Sequence, residues 1–230
     1  MVVIKAENLS KTVSLGNQQL TILSGLNLEV NSGETLAILG RSGSGKSTLL
    51  SLLAGLDSAT GGLISLNGNE LTLLDEDGRA EVRNQHVGFI FQSFQLLPHL
   101  TALDNVMLPL ELAGDKDAEE KAKHWLIEVG LGNRMDHQPN QLSGGEQQRV
   151  AIARAFVTHP EILFADEPTG NLDPSTGQTI TDLLFRLNQQ QGTTLILVTH
   201  DHELARLCHR QVSLEQGTLK EHKALEAVTE

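Results

Sequence analysis

Four short stretches of the sequence are continuously apolar, and each ends at a glycine or a polar residue. They are TLAIL (35–39), VGFIF (87–91), ILFA (162–165) and TLILVT (194–199). Because no polar residues alternate with the apolar ones, the pattern predicts strands buried on both faces, as in a parallel sheet. Such sheets bind ligands beyond the carboxyl ends of their strands. The residues expected to meet at that edge are Gly40, Gln92, Asp166, Glu167 and His200.

A helix is predicted to begin within LSGGEQQRVAIARA (142–155). Ser143 and Glu146 have the S-x-x-E spacing of a capping box, and Pro160 ends the apolar periodicity. Two glycines in a first turn weaken a helix, but they let another molecule approach the backbone closely. The free N–H groups of a helix N-terminus attract anions. This segment is therefore a candidate anion site.

The segment GRSGSGKS (40–47) fits the pattern G-x-x-x-x-G-K-[ST] and lies between an apolar strand and the apolar helix STLLSLLAGL. Its glycines allow backbone N–H groups to surround a phosphate, Lys46 can reach the β- and γ-phosphates, and Ser47 can hold Mg²⁺. A plain glycine-rich turn is the alternative, which the strand–loop–helix context disfavours. The predicted nucleotide contacts are Gly40, Arg41, Ser42, Gly43, Ser44, Gly45, Lys46, Ser47 and Thr48.

The remaining strand ends supply candidate catalytic groups. Asp166 can hold Mg²⁺ through water, as acids do in P-loop NTPases, and Glu167 can polarise a water for attack on the γ-phosphate. A solvated pair of acids is the alternative interpretation. His200 can donate to the γ-phosphate, and Gln92 can contact both Mg²⁺ and the attacking water. A lone histidine at a strand end is more often structural, and a lone glutamine is usually a surface residue. The functional interpretation of these two residues therefore rests on their sharing the predicted sheet edge with the P-loop.

Composition narrows the class of protein. A hydrophobic fraction of 39% and a charged fraction of 20% are typical of a globular chain, and the net charge of −12 argues against a DNA-binding surface. The single cysteine, Cys208, excludes an internal disulfide and is expected to be a small core residue in a reducing compartment. No apolar run approaches the roughly 18 residues of a membrane span, and no signal peptide is recognisable. The tail (215–230) is expected to form a last strand and a loose end.

Taken in order, these motifs resemble those of the nucleotide-binding subunits of ABC transporters, and the resemblance covers essentially the whole chain. The motifs are GRSGSGKS, Gln92, LSGGEQ, ILFADE, NLD (171–173) and His200. The segments FIFQSFQLLPHLTALDNVMLPL and LFADEPTGNLD look most like the subgroup that serves lipoprotein-releasing and macrolide-exporting permeases.

The resemblance implies an α/β fold of the P-loop NTPase type, with a RecA-like core, an antiparallel β subdomain and an inserted α-helical subdomain. The core would comprise about 1–95 and 160–230, and the helical subdomain about 96–159. LTILSGLNLEVNSGE (20–34) and GGLISLNGNEL (61–71) fit the antiparallel sheet.

One helix of the implied helical subdomain is visible in DAEEKAKHWLIEVGL (117–131). Ala122, Trp125, Leu126 and Val129 share one face of it, which predicts burial of that face. Trp125 is therefore expected in the core rather than as a platform for a ligand.

The resemblance also implies a homodimer in which two chains, arranged head to tail, bind two ATP molecules with Mg²⁺. Ser143, Gly144, Gly145 and Glu146 of one chain would face the γ-phosphate on the other chain's P-loop, which would explain glycines that an isolated domain does not need. A Ser143 hydroxyl that contacts phosphate cannot also cap fully, so a partial or water-filled cap is expected in the open dimer. Asp173 would cross the interface.

An integral membrane permease is the implied partner, with no nucleic acid, and the chain would be cytoplasmic, at the inner face of the membrane. The segment SFQLLPHL (93–100) is either a docking surface for that permease or a buried loop. A soluble ABC ATPase unconnected with transport is one alternative function. An unrelated P-loop enzyme, such as a small-molecule kinase, is another, and it would leave LSGGEQ unexplained.

The sequence departs from the family at the adenine contact, where an aromatic residue usually stacks on the base. The chain has no tyrosine, and only Val13 lies near the expected position. Stacking of a base on an aromatic ring is worth about 1–3 kcal/mol in nucleic-acid complexes. Because Val13 offers apolar contact only, we expect weaker discrimination of the base.

Overall fold

A computed structural model describes residues 1–16 and 18–222. Within them the strands are β1 (Val2–Leu15), β2 (Gln18–Asn31), β3 (Thr35–Leu39), β4 (Gly61–Leu66), β5 (Asn69–Glu70), β6 (Val87–Ile90), β7 (Ile162–Asp166), β8 (Thr194–Thr199), β9 (Arg210–Glu215) and β10 (Thr218–His222). The α-helices are α1 (Lys46–Leu53), α2 (Glu76–His86), α3 (Ala102–Leu112), α4 (Ala118–Glu128), α5 (Gly144–Phe156), α6 (Pro174–Gln191) and α7 (His202–Arg206).

The four strands predicted from continuous apolar runs are confirmed. β3 and β8 have the predicted bounds, and every residue in both is buried. β6 ends one residue earlier than predicted, and β7 extends one residue further, to Asp166. Burial on both faces is the reason why these runs carry no polar alternation.

Residues 2–15, for which no element was predicted, form β1. Its pairing with β2 shifts register at several points, including between Ala6 and Leu9, and Asn8 has φ +49°. Each irregularity interrupts the two-residue alternation that identifies a strand. The pattern in the sequence is therefore obscured although the strand forms.

The chain divides into two compact units, the first being Met1–Arg83 with Thr194–Glu230. In this unit β2, β1, β4 and β5 form, in that order, the antiparallel sheet that the resemblance implied. A second group of strands has the order β10, β9, β3, β8, and β3 is parallel to both of its neighbours. Helix α1 contacts β4 and β8, and α7 contacts β3 and β8.

The second unit, Asn84–Thr193, contains the parallel pair β6 and β7 together with α3, α4, α5 and α6. Helix α5 contacts α3, α4, α6 and β6, so it is central to the packing of this unit. Trp125 stacks on Phe156 with ring centroids 5.7 Å apart and is 4% exposed, which confirms it as a core residue. Ala122, Leu126 and Val129 are also buried, as the helical pattern predicted.

The remaining sequence expectations for the fold have mixed outcomes. Strand β10 agrees with the predicted last strand, whereas the predicted loose end at 223–230 lies outside the described residues. Cys208 is buried, and burial raises the pKa of its thiol to about 12, as suits a core residue. The limits proposed for a helical subdomain, about 96 and 159, stay a prediction. In the part of the chain that the structure describes, no helix combines the length and apolar character of a membrane span.

Gly88 shows how tightly α5 packs against β6, and it gives a test of that packing. A Cβ atom at Gly88 would lie 2.4 Å from the carbonyl oxygen of Ala155 and 3.0 Å from Pro160 Cγ. We expect Gly88→Ala to lower the free energy of unfolding by about 1–3 kcal/mol, because an overpacked core must shift. Gly61→Ala is the matched control, since its Cβ would meet only Ser10 Cβ at 3.9 Å. Equal urea midpoints for the two variants would contradict the predicted overpacking.

Candidate functional site

The P-loop (40–47) joins β3 to α1 in a conformation that leaves backbone N–H groups available. Gly43 and Gly45 have φ values of +78° and +96°, a region that glycine enters without strain. Gly45 is the N-cap of α1, and no side chain caps that end or places an acid in its first turn. The N-terminus of α1 is therefore suited to an anion.

Packing leaves little room for a side chain at two glycines of the P-loop. A Cβ atom at Gly40 would lie 2.5 Å from Ser44 Oγ, and one at Gly45 would lie 2.8 Å from Ile22 Cγ2. Lys46 is 8% exposed, and its ammonium donates to the carbonyl oxygens of Gly40 at 2.8 Å and Arg41 at 3.2 Å. The lysine charge is thus held against the loop itself.

His200 and the P-loop open onto the same cavity of the first unit, which has a volume of about 750 Å³. Gly40, Arg41 and Ser44 line it together with His200 and His202. His200 follows β8, and β8 pairs in parallel with β3, which leads into the P-loop. The sequence expectation that this histidine and the glycine loop share a sheet edge is therefore met within the first unit.

Val13 lies on the hairpin formed by β1 and β2, and it is half-buried. Its partner across the hairpin is Leu20, which is 51% exposed. A Cβ atom at Gly45 would lie 2.8 Å from Ile22 Cγ2, so the hairpin that carries Val13 packs against the P-loop.

The two acids lie at the carboxyl end of β7 in the second unit. Asp166 ends the strand and is half-buried, and Glu167 comes directly after it with φ +46°. A left-handed backbone at a residue other than glycine costs about 1–3 kcal/mol and is concentrated at functional sites. The turn is closed by a hydrogen bond of 3.0 Å from the N–H of Gly170 to the carbonyl of Glu167.

Gln92 lies close to this turn, as the sequence predicted for Gln92 and the acids. The Asn171 side chain donates to the Gln92 main-chain carbonyl at 2.8 Å, and Gln92 Nε2 is 3.4 Å from Asn171 Oδ1. A Cβ atom at Gly170 would lie 2.9 Å from Gln92 Nε2 and 3.4 Å from Glu167 Cβ. Sequence reasoning did not identify Asn171 as a site residue, because only the tertiary fold brings residues 92 and 171 together.

The capping box at the start of α5 is complete, so the expectation of a partial or water-filled cap was wrong for this chain. The Ser143 N–H donates to Glu146 Oε2 at 2.8 Å, and the Glu146 N–H donates to Ser143 Oγ at 3.3 Å. The Ser143 hydroxyl also donates to Glu146 Oε2 at 2.9 Å, since a hydroxyl can donate and accept together. Hydrogen bonds from the backbone and then the side chain of Ser143 lower the pKa of Glu146.

The glycines of this segment also have a role within the single chain, which corrects the expectation that an isolated domain has no need of them. A Cβ atom at Gly145 would lie 2.6 Å from Thr176 Cγ2, and one at Gly144 would lie 3.3 Å from Leu172 Cδ2. The N-termini of α5 and α6 are therefore in close contact. Asp173 caps α6, and hydrogen bonds from Thr176 and Ser175 hold its pKa well below the usual range.

The segment 93–100 contains no fully buried residue, and Leu97 is 45% exposed, so the buried-loop interpretation is wrong. Two side chains from outside the segment form hydrogen bonds with its backbone. Arg154 donates to the carbonyl oxygens of Gln95 at 2.6 Å and Phe94 at 2.9 Å, and burial lowers the pKa of its guanidinium. Asn105, 1% exposed, accepts from the N–H of Leu97 at 2.8 Å. A fixed, accessible loop results, as a docking surface requires.

Comparison with known proteins places this geometry in context. A family model described as ABC transporter matches residues 23–170. A protein of Escherichia coli K12, the uncharacterized ABC transporter ATP-binding protein YbbA, is 56% identical over 95% of this chain and 97% of its own length. The lipoprotein-releasing system ATP-binding protein LolD of Hydrogenovibrio crunogenus is 51% identical over 94% of each chain. These relatives confirm the predicted subgroup.

Solved structures agree with the fold. The ATP-binding cassette MJ0796, described as a dimeric post-hydrolysis state bound to ADP and Pi, superposes with a TM-score of 0.89 at 40% identity. The match covers 96% of this chain and 98% of that one. The predicted fold class is confirmed, namely a mixed α/β fold with a P-loop NTPase core, an antiparallel sheet and a helical subdomain.

Proposed function

The chain belongs to the ABC transporter family, and we propose that it is the subunit that hydrolyses ATP to drive a separate membrane permease of the lipoprotein-release or macrolide-export type. The observation that carries this proposal is the P-loop, whose glycine conformations, uncapped helix N-terminus and adjacent lysine suit a polyphosphate. The names of the relatives support the transport role.

On this proposal, ATP phosphates bind the N–H groups of residues 40–48, with Lys46 at the β- and γ-phosphates. His200 donates to the γ-phosphate, which its place on the P-loop cavity supports. Val13, on the hairpin that packs against the P-loop, supplies an apolar contact to the base.

Magnesium fits the residues proposed to hold it. Ser47, Gln92 and Asp166 offer hydroxyl, amide and carboxylate oxygens, which are the hard ligands that Mg²⁺ prefers. Among the described residues no group of three His, Cys, Asp or Glu could hold a metal, and a nucleotide-bound Mg²⁺ needs only one or two protein carboxylates. When bound, Mg²⁺ neutralises charge on the phosphates.

Glu167 is the proposed general base. Its carboxylate orients a water for in-line attack on the γ-phosphorus and takes the proton from that water. The bond from the γ-phosphorus to the bridging oxygen breaks, and ADP leaves with that oxygen. Lys46 and His200 stabilise the charge on the transferred phosphoryl group, so catalysis is mainly positioning and electrostatics. The strained backbone at Glu167 supports a functional role for this position.

The proposed working form is a head-to-tail homodimer, which the dimeric state described for MJ0796 supports. Ser143, Gly144, Gly145 and Glu146 of one chain would close over the γ-phosphate bound by the other. For this the Ser143 hydroxyl must turn its hydrogen from Glu146 to phosphate. Asp173 would cross the interface, and the contact between Gly145 and Thr176 would connect it to the partner's site.

The partner outside the dimer is proposed to be an integral membrane permease, with the exposed segment 93–100 as its docking surface and no nucleic acid involved. The chain would then be cytoplasmic and held at the inner face of the membrane through that permease. The alternative is a soluble ABC ATPase unconnected with transport. Purification of a polytopic membrane protein with this chain separates the two, and its absence under mild detergent favours the alternative.

Glu167→Gln is expected to retain ATP binding and to stop turnover, because the amide cannot accept the proton of the attacking water. The bound ATP should then hold two chains together, which light scattering detects as a doubled mass. Rapid hydrolysis by this variant would exclude Glu167 as the base. Lys46→Ala is the control for binding, and undiminished ATP affinity there would contradict the P-loop assignment.

Val13→Tyr should tighten ATP binding if the side chain lies under the adenine. The gain should not exceed about 1–3 kcal/mol, the value of a base stacked on an aromatic ring. Titration of nucleotide into both forms measures the difference. An unchanged affinity would mean that the base is held elsewhere.

Mixed dimers test whether each ATP lies between two chains. One chain carries Lys46→Ala and the other carries Ser143→Arg, both with Glu167→Gln to trap nucleotide. Each homodimer then lacks an intact site. A mixed dimer keeps one, because it combines the second chain's P-loop with the first chain's LSGGE segment.

The expected result is about one ATP retained per mixed dimer, held by a helix N-terminus closing on phosphate. Little ATP should remain in either homodimer. Negligible retention in all three, with dimers verified by mass, would show that LSGGE does not close over a neighbour's ATP.

A further inference from the structure

A single side chain holds Gln92 at two of its polar groups. Asn171 Nδ2 donates to the main-chain carbonyl of Gln92 at 2.8 Å, and Asn171 Oδ1 lies 3.4 Å from Gln92 Nε2. Both residues are exposed, so water is available to each amide. The two amides nevertheless pair directly with each other, although they are 79 positions apart in the sequence.

Among the described residues, the hydrogen bonds of the Asn171 side chain go to Gln92, and other groups close its own segment. The cap of α6 is Asp173, whose carboxylate accepts the N–H of Thr176 at 3.1 Å. The preceding turn is closed by backbone bonds, from Gly170 to Glu167 and from Leu172 to Thr169, each 3.0 Å long. The Asn171 amide is thus used on Gln92 rather than on its own segment.

Gly170 fixes the other side of the Gln92 amide. A Cβ atom there would lie 2.9 Å from Gln92 Nε2 and 3.4 Å from Gln92 Cδ. The backbone at Gly170 is not left-handed, so a side chain there would be opposed by the Gln92 amide rather than by the backbone conformation.

A glutamine amide presents either an oxygen or a nitrogen, and only the oxygen can bind Mg²⁺ or accept from water. Asn171 Oδ1 can accept from Gln92 Nε2 and cannot donate to Gln92 Oε1, so it selects one orientation of that amide. We propose that Asn171 is a positioning residue that fixes Gln92 with its side-chain oxygen free for Mg²⁺ and the attacking water. This inference rests on the role proposed above for Gln92.

The first test needs no nucleotide. In ¹⁵N-labelled full-length chain, the side-chain NH₂ signals of Gln92 are assigned by their loss in Gln92→Ala. In the parent they should be displaced from the values of a free glutamine, and Asn171→Ala should return them to those values. Gly170→Ala should also move them, although Asn171 remains, because its Cβ displaces Nε2. Asn133→Ala, an exposed asparagine of the same unit, is the control and should leave them unchanged.

The second test is a double-mutant cycle on ATP turnover. Because a hydrogen bond contributes about 0.5–1.5 kcal/mol, Asn171→Ala should lower kcat roughly three- to tenfold while KM for ATP changes less than about twofold. In a chain that already carries Gln92→Ala, the same substitution should change kcat by less than about twofold, because residues that act through one another are not additive. Unchanged far-ultraviolet circular dichroism and thermal midpoints exclude misfolding as the cause.

Three results would overturn the inference. They are Gln92 NH₂ signals that ignore Asn171→Ala, an unchanged kcat in that variant, and losses at the two positions that simply multiply. Full turnover by Gln92→Ala is a different failure, since it overturns the role proposed for Gln92 whatever the signals show. Loss of ATP binding in Lys46→Ala, measured alongside, keeps the P-loop assignment separate from both.

Discussion

Close approach of the backbone at glycines is the constraint on which the candidate site depends. At Gly40, Gly45, Gly145 and Gly170 a single added carbon would lie between 2.5 and 2.9 Å from a neighbouring atom. Real Cβ atoms do not sit that close to other heavy atoms, so a side chain at any of these positions displaces the neighbouring side chain. In the P-loop, the first turn of α5 and the turn after Glu167, the backbone therefore lies directly against side chains from other segments.

Two carboxylates lie at the helix starts that the proposed dimer would bring close to phosphate. Glu146 and Asp173 cap α5 and α6, and hydrogen bonds lower the pKa of both carboxylates. Both are therefore ionised at neutral pH, where each stabilises its own helix end. These charges would disfavour an approaching phosphate, and at Glu146 the Arg134 guanidinium, whose Nε lies 3.3 Å from Oε1, offsets part of that effect. In the proposed dimer, closure on ATP would be favoured by the helix N–H groups and by Mg²⁺ that reduces the phosphate charge.

The sequence was sufficient to predict features in which burial or chemistry constrains consecutive residues. Strands β3 and β8 were predicted to the residue because burial on both faces leaves an unbroken apolar run. The P-loop was predicted because its glycines, Lys46 and Ser47 must be consecutive to surround a phosphate. Strand β1 was missed, since bulges break its alternation.

Contacts between segments that are far apart in the chain could not be predicted from one sequence. Nothing near Gly145 in the chain indicates that Thr176 will occupy the space of its missing side chain. The pairing of Gln92 with Asn171 likewise depends on how two loops meet. The complete cap at Ser143 was mispredicted for a different reason. A hydroxyl can donate and accept at the same time, whereas the prediction allowed it only one of these.

Carbonyl oxygens of the P-loop compete with a ligand for the lysine ammonium. Two carbonyl oxygens of the loop already accept hydrogen bonds from the Lys46 ammonium, so an arriving ligand competes with them for its N–H groups. An ionised phosphate oxygen accepts more strongly than a neutral carbonyl, whereas a ribose hydroxyl does not. A nucleoside or a free base would therefore leave the lysine where it is. A single chain would thus select for the charged end of the ligand before a second chain binds.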